Sequence, residues 1–387
     1  MMDSSLIKKE LDQLKEDDLF RTLEKVNPIS PGEIEIDGKI YIDFSSNDYL
    51  GLSKHNKLIE AGLVALRKWG CSSRASRLIS GNHILYNQLE HKLSEFKGTE
   101  SALVFGNGFL CNVSIISSLV GANDAIFLDR LCHASIIDGA LLSRARLFRF
   151  NHNDISHLEE LLKKNRKRYK KALVVAESVY SMDGDLAPID DLIRVCKEFD
   201  VFFLLDEAHA IGVFGENGEG LVKRDSKNKP DILMGTFGKA LGSYGAFCCI
   251  SKELKDYFIN RARGIIYSTA LPPSVLSINI SSLDILKEIA HKRKNLINKA
   301  EELRTFIKNE IQQKTKGHSQ IVPLILSSVR DVLHLESYLK IKGIFVKAIR
   351  PPTVPKNSPR IRISLCACHS DTSINYLKEC LYNFFKK

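Results

Sequence analysis

Between residues 100 and 250 the chain repeats one pattern: a short run of consecutive apolar residues, then a longer stretch with apolar positions every three or four. The runs lie at 102–105, 125–128, 147–150, 173–176, 201–205, 232–234 and 246–250. A strand that is apolar throughout is one covered on both faces, and the periodic stretches read as the helices that cover it. The alternation predicts an α/β domain whose mostly parallel sheet lies between helices. In such sheets ligands gather beyond the carboxyl ends of the strands, and polar, chemically capable residues follow the runs in this sequence.

The flanking segments read differently. Leu11, Leu14, Leu19 and Leu23 have helical spacing and predict an amphipathic helix over 6–26, ended by Asn27-Pro28. Alternation at 34–36 and 40–42 around Asp37-Gly38 predicts a hairpin, and 45–51 reads as a polar loop anchored by Tyr49 and Leu50. Pro272-Pro273 marks a boundary. Beyond it Leu296, Ala300, Leu303 and Ile307 share a helical face, and 321–326, 345–346 and 360–365 read as strands around another helix. The expected organisation is an N-terminal helix and hairpin segment (1–50), a large domain (51–273) and a smaller C-terminal α+β domain (274–387).

Composition narrows the class. At 387 residues, 44% hydrophobic and 26% charged, the chain matches an ordinary soluble globular protein. No apolar run is long enough to cross a bilayer and the N-terminus lacks an apolar signal core, so no membrane partner and a cytoplasmic location are expected. Nine cysteines without paired knuckles point to a reducing compartment and to no metal site. The net charge of +10 and the basic run at 163–171 raise the question of nucleic acid. That run falls between a helical pattern and a strand, where a solvated helix end is expected, and no aromatic platform or zinc pattern accompanies it. No nucleic-acid partner is expected; a basic surface suits an acidic carrier protein or a phosphate-bearing thioester equally well.

The candidate chemistry sits just past four of the apolar runs. In Gly235-Thr236-Phe237-Gly238-Lys239 small residues deliver one amine on a tight turn, a setting for a lysine held in a cleft, where desolvation favours the neutral, nucleophilic amine. A phosphate-binding Walker motif is excluded, because Leu233 and Ala240 stand where it needs glycine and Ser or Thr. Phe105-Gly106-Asn107-Gly108-Phe109 precedes a helical run, so its backbone N–H groups and the helix N-terminus suit a single phosphate. Asp206-Glu207-Ala208-His209 ends a buried run with a carboxylate that must meet a cation, a metal or a proton-bearing nitrogen. Leu131-Cys132-His133 adds an imidazole, and Glu177-Ser178-Val179-Tyr180-Ser181-Met182-Asp183-Gly184-Asp185 a polar turn. A ring with a phosphate arm, a basic nitrogen and an aldehyde would use all of these groups, and pyridoxal phosphate fits that description.

With these residues in place the chain resembles the α-oxoamine synthase family of fold-type-I pyridoxal-phosphate enzymes. The likeness runs from Ser45-Ser46-Asn47-Asp48-Tyr49-Leu50-Gly51 through the motifs above to Tyr267-Ser268-Thr269-Ala270-Leu271-Pro272-Pro273. It implies an aminotransferase-like fold, a homodimer with sites at the interface, and condensation of an amino acid with an acyl thioester as carbon dioxide is lost. Lys239 would hold the cofactor and move substrate protons. Asp206 would pair with the ring nitrogen, His209 would bond the ring oxygen with Ser181 near it, and His133 would stack on the ring and assist catalysis. Gly108, Phe109 and Thr236 would surround the phosphate, joined by Thr269 (with Ser268) from a neighbouring subunit. Arg362, with Asn47, would grip the amino-acid carboxylate, Thr353 would contact substrate, and Arg21 would meet the far carboxyl of the acyl chain.

The segment Ala348-Ile349-Arg350-Pro351-Pro352-Thr353-Val354-Pro355, followed by Arg360-Ile361-Arg362, most resembles members that join L-alanine to a pimeloyl thioester of coenzyme A or acyl carrier protein in biotin synthesis. Sister members use glycine or serine with other acyl thioesters. A non-catalytic scaffold on the same fold would lack the absorbance of a bound cofactor. Ser73, Arg74 and Ala75 depart from the more glycine-rich loop usual at 70–81.

Overall fold

In the computed structural model, which describes residues 4–386, the chain forms two compact units: 47–181 with 185–294, and 4–46 with 182–184 and 295–386. The boundary expected at Pro272-Pro273 is instead the start of the helix Pro273–Glu288. The N-terminal segment belongs to the same unit as the C-terminal residues.

The smaller unit opens with β1 (Asn27–Ser30), β2 (Glu33–Ile36) and β3 (Lys39–Asp43). β2 and β3 pair antiparallel with Ile36 opposite Lys39. Asp37 and Gly38 both carry positive φ, 49° and 77°, as the two-residue turn between right-twisted strands requires. The expected helix over 6–26 ends early: it spans Ser4–Glu16. The leucine spacing continues past it, but residues 18–24 are held by longer-range bonds. Arg350 donates to the carbonyls of Asp18 and Phe20 at 2.6 and 3.3 Å, and Glu24 pairs with Lys340 and Lys347. Tertiary charge pairing overrides local periodicity there.

The larger unit carries the sheet read from the apolar runs: β4 (Ser101–Phe105), β5 (Ala125–Asp129), β6 (Arg146–Phe150), β7 (Ala172–Glu177), β8 (Phe202–Asp206), β9 (Ile232–Thr236) and β10 (Ala246–Ile250). Their order is β4-β10-β9-β8-β7-β5-β6. All neighbours are parallel except β10, which runs antiparallel to β4 and β9. Every residue of β5, β7, β9 and β10 is buried, whereas edge strand β6 exposes Arg146 and Arg149. That difference explains why the central strands read as unbroken apolar runs. One core beneath the sheet joins Leu103, Ile126, Leu173, Leu204, Ile232 and Cys248 to Ile115 and Ile136 of the helices Gly108–Leu119 and Ala134–Ser143.

The remaining strands complete the smaller unit: β11 (Ile321–Ile325), β12 (Ile344–Phe345), β13 (Ala348–Ile349) and β14 (Arg360–Ser364). β12 extends the β1-β2-β3 sheet, and β11-β14-β13 form a second small sheet. Leu296, Ala300, Leu303 and Ile307 are buried together as their shared face predicts. Among the described residues no helix is long and apolar enough to cross a membrane. The nine cysteines are free, and among the described residues no cluster of three or more ligating side chains could hold a metal.

Candidate active site

Lys239 lies on the turn between β9 and β10. The turn is closed by Phe237 N–H to Gly245 O, Ser243 N–H to Phe237 O and Gly242 N–H to Lys239 O, each 2.9 Å. Gly242 is required by conformation and by space: φ is +63°, and a Cβ would meet the carbonyl carbon of Leu52 at 2.5 Å. The Thr236 hydroxyl donates to Gly245 O at 2.9 Å and accepts the N–H of Gly238 at 3.1 Å, so it braces the same turn. A hydrogen-bonded, partly buried loop therefore presents one primary amine.

The amine meets His209. Lys239 Nζ is 2.7 Å from His209 Nε2, and His209 Nδ1 is 2.7 Å from the hydroxyl of fully buried Tyr49. Tyr49 donates to Asn47 Oδ1 at 3.0 Å. An amide oxygen only accepts, so the Tyr49 proton is committed to Asn47 and its oxygen accepts from His209 Nδ1–H. The Nε2 lone pair is then turned toward Lys239. Tyr49, visible in the sequence only as an anchor, sets the tautomer of a site histidine.

A second network holds Asp206 at the carboxyl end of β8. Asp206 is 6% exposed, yet its bonds are to neutral donors: Asn112 Nδ2 at 2.8 Å and Ala208 N–H at 2.9 Å. No ion pair to it occurs among the described residues. Asn112 also donates to Ser135 Oγ at 3.0 Å, and Ser135 lies 2.8 Å from His133 Nδ1. His133 caps the helix Ala134–Ser143 by accepting the Ser135 N–H at 3.2 Å. Its Nδ1 is therefore an acceptor, and the proton of the neutral ring sits on Nε2. Burial, with Lys239 adding repulsion, lowers the His133 pKa against the pull of Asp206.

Asn107 caps the helix Gly108–Leu119 through Leu110 N–H at 2.9 Å, and its carbonyl takes Cys111 N–H at 3.0 Å. Among the described residues the N–H groups of Gly108 and Phe109 have no partner, and they lie at the positive end of that helix, where an anion binds well. Gly108 leaves room that a side chain would fill, since a Cβ would stand 3.1 Å from Met234 Cε. Ser181 is buried after β7, and Thr269 is exposed, bridged to Ser76.

The larger unit thus gathers Asn47, His133, Asp206, His209, Thr236 and Lys239 into bonded networks. In the smaller unit Arg362 lies buried on β14, donating to Ser364 Oγ at 2.8 Å. Thr353 is exposed in a turn to Arg350 O, and Arg21 donates to Pro351 O at 2.9 Å, beside that turn. Tyr49, Asn112, Ser135 and Glu177 were not identified from the sequence as site residues. Nothing in their local pattern signals a partner 23 to 160 positions away.

The geometry defines a lysine-centred α/β site on a sheet with one antiparallel strand, and comparison with known proteins agrees. Residues 39–381 match the model of the aminotransferase class I and II family. The chain is 42% identical over 369 residues to the 8-amino-7-oxononanoate synthase of Geotalea daltonii, covering 95% of this chain and 94% of the relative. Likeness to a putative 8-amino-7-oxononanoate synthase of Thermodesulfovibrio yellowstonii is also 42%, over 97% and 96% of the two chains. Among solved structures, serine palmitoyltransferase from S. paucimobilis with a bound PLP–myriocin aldimine superposes with a TM-score of 0.91, at 30% identity, covering 98% of this chain and 96% of that one. The 8-amino-7-oxononanoate synthase of Francisella tularensis gives 0.78 at 29% identity, covering 89% and 98%. The chain belongs to the class I and II aminotransferase family, and the curated relatives named above, matched over nearly full length, are an 8-amino-7-oxononanoate synthase and a putative one.

Proposed function

We propose that the protein is a pyridoxal-phosphate-dependent acyltransferase that condenses L-alanine with a pimeloyl thioester, of coenzyme A or acyl carrier protein. The products are 8-amino-7-oxononanoate, carbon dioxide and the free thiol, as a step of biotin synthesis. The observation that carries the reading is the half-buried Lys239 amine 2.7 Å from His209, with buried Asp206 on the adjoining strand in no ion pair among the described residues.

The residues suit the cofactor. A buried carboxylate bonded only to neutral donors has room for a protonated ring nitrogen, and two open N–H groups at a helix start suit a phosphate. Lys239 would hold the cofactor covalently, Asp206 would keep the ring nitrogen protonated, and Gly108 and Phe109 would take the phosphate with Thr236 bracing the adjacent turn. When bound, pyridoxal phosphate supplies a carbonyl for a primary amine and a ring that accepts the electron pair of a bond broken beside that amine. His209 offers a lone pair to Lys239, so the lysine can deliver and recover protons at the α-carbon. His133 presents its Nε2–H as a second donor and would face the ring. Ser181 would bond the ring oxygen.

Arg362 would take the amino-acid carboxylate through its planar fork, with Asn47. Thr353 and Arg21 would contact the acyl substrate, Arg21 its distal carboxylate. The exposed Thr269 and Ser268 would reach the phosphate held by a second copy, which makes the active form a homodimer. No nucleic acid or membrane takes part, and the setting is cytoplasmic.

The test is an absorbance spectrum of the purified protein before and after borohydride, with Lys239→Ala as control, followed by a product assay with L-alanine and pimeloyl thioesters. Visible absorbance lost on reduction and absent from the variant is the expected result; a colourless protein that stays so with excess pyridoxal phosphate refutes the reading. The serine palmitoyltransferase likeness favours one second reading, a sister synthase using serine or glycine with another acyl thioester. Preferred turnover of those pairs over alanine and pimeloyl thioester would establish it.

A further inference from the structure

Glu177 ends β7 directly across from Asp206 at the end of β8. In-register residues of parallel neighbours project to the same face, so the two carboxyl groups leave the sheet side by side, from strands roughly 4.8 Å apart. Both are buried, at 3% and 6% exposure, and neither belongs to an ion pair among the described residues. Their hydrogen bonds differ. Asp206 accepts from Asn112 Nδ2 and Ala208 N–H, whereas Glu177 Oε1 accepts from the backbone N–H of His133 at 2.5 Å.

Two adjoining buried carboxylates cannot both ionise without strong mutual repulsion. The charge goes to the member with more donors, which is Asp206. We propose that Glu177 is a neutral carboxylic acid at physiological pH, a positioning residue that fixes His133 and leaves Asp206 as the one negative charge of the pair.

The bonds close a circuit. Glu177 holds the His133 backbone, the His133 ring takes Ser135, and Asn112 links Ser135 to Asp206. Asn112 Oδ1 is left buried without a partner among the described residues, the cost of pointing both amide N–H groups at Ser135 and Asp206. The charged and titratable groups acting on Glu177 are Asp206 on β8, Asp129 on β5 and Lys239 after β9, with Cys132 and Tyr180 nearby. Burial, then Asp206, raise the Glu177 pKa to about 8, against the opposing pull of Lys239 and the His133 N–H.

The test is the pH dependence of thermal unfolding for wild type and Glu177→Gln without cofactor. An acid whose folded pKa is raised withholds ionisation that the unfolded chain enjoys, so it lowers stability as pH rises from the ordinary glutamate value toward 8. The Tm of Glu177→Gln minus that of wild type is expected to climb from pH 4.5 to 8 and then level off. A difference independent of pH over that range overturns the proposal.

The second measurement rests on the cofactor reading. Glu177→Ala is expected to lower kcat roughly 30-fold by freeing the His133 backbone, and Glu177→Gln to restore most of it, because its amide oxygen still accepts that N–H. Equal losses in both variants would refute the positioning role. A protein that binds no cofactor would refute the proposed function while leaving the unfolding result standing.

Discussion

The Nζ of Lys239 and the Nε2 of His209 stand 2.7 Å apart at the ends of adjoining segments, and the hydrogen bond between them runs from amine to imidazole. Its direction is set from outside the pair. Tyr49 gives its proton to Asn47 and so requires His209 to carry its own proton on Nδ1. Tyr49→Phe removes that constraint and leaves the tautomer free. We expect kcat to fall about 5-fold with little change in KM, since one hydrogen bond to a site histidine is worth about 1 kcal/mol. The acidic limb of the pH–rate profile should also shift. An unchanged profile would mean that the Tyr49 bond does not govern proton transfer.

Asn112 makes a prediction about stability rather than turnover. Its amide supplies one of the two donors to Asp206, a buried carboxylate with no ion pair among the described residues. Asn112→Leu keeps the volume and deletes that donor. The expected loss is about 2 kcal/mol in urea unfolding of the cofactor-free protein, the usual cost of leaving a buried charged acceptor short of a partner. Added pyridoxal phosphate should return part of it by mass action, because only the folded state binds. A variant as stable as wild type would show that water serves Asp206 equally well.

The sheet was legible in the sequence because its inner strands are buried on both faces and so are apolar without interruption. All seven runs became strands, and the hairpin at Asp37-Gly38 was visible because only a few residues tolerate positive φ. Lys239, Asp206, His209 and His133 stood out because each follows a strand. What stayed hidden was everything set by partners distant in sequence. Arg350 and Glu24 draw residues 18–24 out of helical geometry, and neither bond leaves a trace in local spacing. Glu207 drew no reading of its own within Asp206-Glu207-Ala208-His209, yet it forms a buried ion pair with Lys97, 110 positions away.

That ion pair carries its own expectation. Lys97 Nζ is 2.5 Å from Glu207 Oε2, with both side chains essentially inaccessible, and Glu207 Oε1 accepts the N–H groups of Leu221 and Val222 at 2.8 and 3.1 Å. Glu207 thus fastens the glycine-rich stretch at 215–222 beneath the strand end that bears Asp206. Lys97→Met strands a buried carboxylate and should cost about 3–5 kcal/mol. Limited proteolysis should then cut within 215–222, where wild type resists. Cleavage elsewhere, or none, would separate the ion pair from the order of that loop.

His152 ties two other strand ends together. Its Nδ1 is 3.0 Å from Asp129 Oδ1 on β5, and its Nε2 is 2.5 Å from Asp185 Oδ2 just past β7, with the Tyr180 ring edge-on at 4.4 Å. Burial lowers the imidazole pKa, but the two carboxylates outweigh it and raise the value to about 9. A histidine so raised contributes its full stabilisation below the unfolded value near 6.5 and loses it as pH climbs through 9. Stability should therefore fall by up to about 3 kcal/mol between pH 6.5 and 9.5, the ceiling set by a shift of this size. His152→Gln, which can bridge only weakly and carries no titrating charge, should be less stable at pH 6.5 and lack this histidine-dependent decline. Denaturant midpoints collected at half-unit pH steps for both proteins decide it. If the two curves run parallel across that window, the imidazole carries no extra proton in the fold, and the junction of Asp129 with Asp185 is held by other bonds.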